Sequence, residues 1–117
     1  MRMPVLFVAL PPMVARFLSA AVQEKPDLEL IGELDTLNAL ALAAGRTKPS
    51  LAFVGGEVEL DTTDLESLFR TTAVSLVAQV STSGNLVHVH SRSGEGWELE
   101  AHTAPELLNA VLRILAA

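Results

Sequence analysis

The chain has 117 residues, half of them hydrophobic, no cysteine, and 14 acidic against 8 basic side chains, for a net charge of −6. That is enough apolar chain for one folded domain spanning 1–117 and too much for disorder. The acidic balance disfavours nucleic acid and anionic membranes, whose phosphates call for a basic face. The lack of cysteine removes disulfides, thiolate nucleophiles and cysteine zinc sites, which fits a reducing, cytoplasmic compartment.

The first element is an unbroken apolar run over 5–10, closed by Pro11 and Pro12. So short a run reads as a strand buried on both faces, at the centre of a parallel sheet. It does not read as a signal peptide, because the two prolines cut it and Arg16 interrupts its continuation. No stretch approaches the ~20 apolar residues of a membrane span. A helix over 12–25 opens with proline and turns Val14, Phe17, Leu18, Ala21 and Val22 inward. In βα folds the loop after the first strand usually carries the chemistry. Here it holds Ala9, Leu10, Pro11 and Pro12, which offer none.

Residues 28–34 mix apolar and polar positions, as an edge strand does. A second helix is expected through Leu37, Leu40, Ala41 and Ala44, ending near Gly45. Residues 51–54 are apolar throughout and read as another central strand, followed by Gly55-Gly56. Thr63 with Glu66 fits a capping box for a short helix that turns Leu65, Leu68 and Phe69 inward. Residues 73–80 form the next strand.

From Leu86 the pattern becomes alternating. Val87 and Val89 alternate with His88, His90 and Arg92; beyond a glycine-containing turn, Trp97, Leu99 and Ala101 alternate with Glu98 and Glu100. This predicts a β-hairpin with Val89 opposite Leu99, His90 opposite Glu98, and a three-residue loop over 93–95 or 94–96. An irregular helix over 85–92 is the competing reading; its β-branched and histidine content weighs against it. Thr103 and Glu106 make a second capping box, and the last helix runs to the end with a wide apolar surface.

Between 4 and 49 the chain resembles the receiver domain of bacterial two-component response regulators, of the branch with a LuxR-type helix-turn-helix. The resemblance rests on Val5 to Val8, Pro26-Asp27, Ile31-Gly32-Glu33, the Ala/Leu-rich second helix and Pro49, with Gly96-Trp97 to Glu100 standing for the family's last strand. It implies an α/β, flavodoxin-like, mostly parallel sheet flanked by helices, in which a strand replaces the fourth helix. It also implies a phosphorylation pocket of two acids, an acceptor aspartate, a Thr/Ser and a lysine. Those positions fall on Ala9, Leu10, Gly55, Ala78 and Glu100. The resemblance thus implies a vestigial pocket: Ala9, Leu10 and Gly55 offer no carboxylate for Mg²⁺ and no aspartate for a phosphoryl group. Such degenerate receivers are non-enzymatic modules that bind protein partners or a second copy through the last helix and a neighbouring strand. On this chain that surface comprises Trp97, Leu107, Val111, Leu112 and Leu115.

His88, His90, Glu98 and Glu100 share one face of the hairpin. Imidazole suits zinc, nickel or copper, so a metal- or ligand-sensing use of 86–102 is the alternative reading. A solvated polar face accounts for the same set, and no metal or cofactor is expected. A catalytic triad built on Ser81, Ser83 or Ser91 lacks a nucleophile elbow. A receiver detached from a DNA-binding domain is the remaining alternative.

Overall fold

A computed structural model describes residues 3–35, 50–58, 60–81 and 85–116. The second helix expected near 37–44 lies outside them, as does the turn at Pro49. The described residues form a six-stranded mixed sheet in the order β2-β1-β3-β4-β5-β6 with three helices. The strands are β1 (Met3–Val8), β2 (Leu28–Leu34), β3 (Leu51–Gly55), β4 (Leu76–Val80), β5 (Leu86–Ser91) and β6 (Gly96–Glu100). The helices are α1 (Pro12–Gln23), α2 (Thr62–Thr71) and α3 (Ala104–Ala116). The pairs β1–β2, β1–β3 and β3–β4 are parallel, whereas β4–β5 and β5–β6 are antiparallel. Among the described residues no helix is long and apolar enough to cross a membrane.

Strand alternation divides the core in two. Val5, Phe7, Leu51, Phe53, Leu76, Ala78, Val87 and Val89 face α1 and α3, which contribute Val14, Leu18, Leu107, Leu108 and Val111. Leu6, Val8, Ala52, Val54 and Val77 face the other way, against Leu68 and Phe69 of α2. Phe7 and Phe53 meet edge to face with centroids 5.8 Å apart on adjacent parallel strands. β2 lies at one edge, consistent with its mixed pattern, and β6 lies at the other.

The cap of helix α2 lies two residues before the expected one. Its N-cap is Asp61, whose carboxylate accepts from the Asp64 amide at 2.7 Å while Asp64 reaches back to the Asp61 amide. The Asp61/Asp64 pair forms the kind of capping box expected of Thr63 and Glu66, two residues earlier and on different amides. Phe17 also departs from expectation: Val14, Leu18, Ala21 and Val22 fill the inner face of α1, and Phe17 at its margin is 58% exposed.

The register of β5 and β6 is offset by two from that expected. Val89 faces Trp97, His88 faces Glu98, and His90 faces Gly96. The cause is where the chain turns. The Ser91 amide donates to the Glu95 carbonyl at 2.9 Å and the Gly94 amide to the Ser91 carbonyl at 3.1 Å, with Gly94 at φ 92°. The three turning residues are therefore Arg92, Ser93 and Gly94. Arg92 starts the turn because its guanidinium is held elsewhere. It donates to the carbonyls of Phe69, Thr72 (2.6 Å) and Val74 (2.7 Å) and stacks over the Phe69 ring. A cation is thus fixed on the carbonyl end of α2, where the helix dipole favours it and the last carbonyls lack partners.

Removing this clamp leaves those carbonyls unpaired. Arg92→Ala is expected to lower stability by about 2 kcal/mol in urea unfolding, and Arg92→Lys to recover little of it, since one ammonium cannot span three acceptors.

Candidate functional site

In open α/β sheets, ligands bind beyond the carboxyl ends of the parallel strands, where the strand order switches direction. Here that place lies between β1 and β3. A cavity of about 360 Å³ is lined by Ala9, Leu10, Pro11, Pro12, Gly55, Gly56 and Glu57. Ala9, Leu10 and Gly55 therefore lie together.

The local backbone determines what this cavity can do. The Ala9 amide still donates to Leu34 at 2.7 Å, and Ala9 then takes a positive φ of 50°. That conformation is costly for a residue with a Cβ. It folds the β1–α1 connection across the end of β3. A Cβ at Gly55 would lie 2.1 Å from the Ala9 carbonyl oxygen and 3.0 Å from its carbon. Gly55 thus lacks a side chain because there is no room for one. At Gly56 a Cβ would lie 2.9 Å from the Val80 carbonyl oxygen, so the loop after β3 is pressed against β4 as well.

Among the described residues Glu57 is the one ionisable side chain lining the cavity. The start of α1, at Pro11 and Pro12, has lost two amide donors to proline and carries no side-chain cap. A helix start that would otherwise attract a phosphate is thereby weakened. A single exposed carboxylate is a poor set for Mg²⁺, which usually needs one or two carboxylates plus a substrate phosphate.

The other two expected pocket residues lie elsewhere. Ala78 is fully buried against the α1/α3 side of the core, opposite Phe53. Its neighbour Gln79 reaches the loop instead, donating to the carbonyls of Gly55 (3.4 Å) and Val58. Glu100 is exposed at the end of β6, three strands from β3 and so roughly 14 Å away at usual strand spacing. The antiparallel strand β5, inserted beside β4, moves it there.

The polar face of β5 and β6 carries His88, His90, Glu98 and Glu100 as alternation predicts, but they do not converge. His88 Nε2 is 3.7 Å from Glu98 Oε1, with both side chains well exposed, a pairing of small energetic weight. Glu100 faces Leu86, and His102 lies beyond β6 near Pro105. Among the described residues no three His, Asp or Glu side chains are placed to hold a metal ion. Ser91 bonds to Ser93 and to the Glu95 carbonyl within its own turn.

The expected partner surface is also redistributed. Leu107 and Val111 are 2% and 0% exposed and belong to the core. Trp97, Leu112 and Leu115 are half-buried against that core. Among the described residues the large apolar side chains that do face solvent are Met13 at 70%, Phe17 at 58% and Leu86. Met13 and Phe17 border a groove of about 610 Å³ between α1 and the start of α3.

Gly55→Ala is expected to cost about 3 kcal/mol in urea unfolding, because backbone must move. Gly94→Ala, where nothing lies within 4 Å, should cost only its φ strain of about 1 kcal/mol. A second expectation concerns acid. Burial, and to a lesser degree the His88 charge, holds the His90 imidazole below its ordinary value of 6.5. The unfolded chain therefore takes up that proton first as pH falls. Stability should be level above pH 6.5 and decline below it, and His90→Asn should flatten the decline in chemical denaturation across that range.

A scan against protein-family models finds no family that matches the chain, and a search of curated proteins finds no matching relative.

Proposed function

We propose that the chain is a pseudo-receiver, a phosphorylation-independent module that works in bacterial signalling or transcription control by binding another protein in the cytoplasm. The reading joins two features. The strand order β2-β1-β3-β4 is compatible with the flavodoxin-like plan that receivers use, and we read β5 and β6 as standing where a fourth helix would lie. We read the end of that sheet as closed to phosphoryl chemistry. The observation that carries the proposal is the Ala9 carbonyl lodged 2.1 Å from where a Gly55 side chain would begin. The lack of an acceptor and of a metal pair among the described residues of this site favours binding as the way for such a domain to act. The partner is a protein; a second copy meeting through α3 and the hairpin edge is the self-associating version of the same proposal.

The first test adds Mg²⁺ and beryllofluoride, a phosphoryl mimic, to isotopically labelled protein. The amide signals of Ala9, Leu10 and Gly55 should not move; saturable shifts there would sink the proposal. The positive arm is native co-purification, where one protein is expected in stoichiometric amount with the tagged chain. Stoichiometric zinc and no protein would turn the reading towards a sensor.

A further inference from the structure

The outer edge of the sheet has unmet bonding capacity of known direction. β6 is the terminal strand, and no strand among the described residues pairs with its outer side. The bonds flanking the β5–β6 ladder fix which residues face inward. The Ser91 amide donates to Glu95, and the Ala101 amide to Asn85, both at 2.9 Å. In an antiparallel pair bonded and non-bonded positions alternate. Residues 95, 97, 99 and 101 therefore bond to β5, and Gly96, Glu98 and Glu100 direct their N–H and C=O groups outward.

The side chains along this edge are equally ordered. Trp97 and Leu99 lie half-buried on the α3 side, whereas Glu98 and Glu100 stand exposed on the other. Among the described residues that second face is exposed over β6: α2 packs on β1, β3 and β4 and borders β5 only near His90 and Arg92, and Glu98 keeps 67% of its side chain in water. An added strand would thus find acceptors and donors at every second residue, carboxylates beside those same residues, and an apolar strip between them.

We infer that the β6 edge accepts an extended protein segment with lysine or arginine at alternate positions and apolar residues between them. Such a segment adds a seventh strand. Its backbone bonds to residues 96, 98 and 100, its basic side chains lie beside Glu98 and Glu100, and its apolar ones continue the surface of Trp97 and Leu99. A second copy is a poorer occupant. Antiparallel pairing of two β6 strands about their centre sets Glu98 against its counterpart, between chains that each carry −6. The inference rests on reading the chain as a protein-binding module and names the surface and partner chemistry of that module.

The test uses the whole chain, labelled with ¹⁵N, and a ten-residue peptide of alternating valine and lysine, with an alternating valine–glutamate peptide as control. The lysine peptide should shift the Gly96, Glu98 and Glu100 amides and slow their hydrogen exchange, while Trp97 and Leu99, already bonded, change less. The Glu98→Lys, Glu100→Lys double variant should keep its folded spectrum and bind the peptide about tenfold more weakly or worse. Equal binding of both peptides, shifts confined to another surface, or dimers that protect the edge amides without peptide would overturn the inference. Co-purification separates this from the parent proposal. A stoichiometric partner retained by the double variant would leave the module standing and remove the edge from it.

Discussion

Strands β1 and β3 carry no polar side chain on either face, and the fold follows from covering them. Val5 and Phe7 must be buried on one side, Leu6 and Val8 on the other. One layer of helices cannot do both, so α1 and α3 pack on the first face and α2 on the second. β5 and β6 need shelter on one face only, because their other positions are histidines and glutamates. The half-covered end of the sheet, with an edge that no described strand pairs, is thus a direct consequence of where the apolar residues stop alternating with apolar ones and start alternating with polar ones.

Arg92 joins the two regimes. It leaves β5 at the turn and crosses to the end of α2, so the last turn of the helix and the reversal of the chain share one set of bonds. The Phe69 ring under the guanidinium also belongs to the core on the α2 side. Movement of the β5–β6 turn therefore strains a helix terminus, and the two should open together under native conditions.

What could be read from the residues was mostly what local pattern decides. The central runs and the mixed edge strand needed no distant information. The register of β5 against β6 did. Registers that differ by two leave every apolar residue on the same face, so alternation cannot separate Val89–Trp97 from Val89–Leu99. Contacts of Arg92 with carbonyls some twenty residues away make the choice. The cap of α2 was ambiguous for a different reason, since Asp61 and Thr63 each begin an acceptable capping pair. At the candidate site, sequence placed Ala9, Leu10 and Gly55 together. It missed Gln79, whose use depends on a loop carbonyl, and misplaced Glu100, whose distance is set by the insertion of β5.

Gly55 has a consequence for how this protein can change. A carboxylate at that position requires the β1–α1 connection to withdraw first, and the connection is held by the positive φ of Ala9 and by the Leu34 carbonyl. Neither loop can be altered alone with profit, since a side chain at 55 collides and a withdrawn loop exposes the strand ends. Stepwise substitution therefore meets a barrier in whichever order it proceeds. The closed end of the sheet acts as a ratchet: opening it to an acid-lined pocket demands two coordinated changes at once.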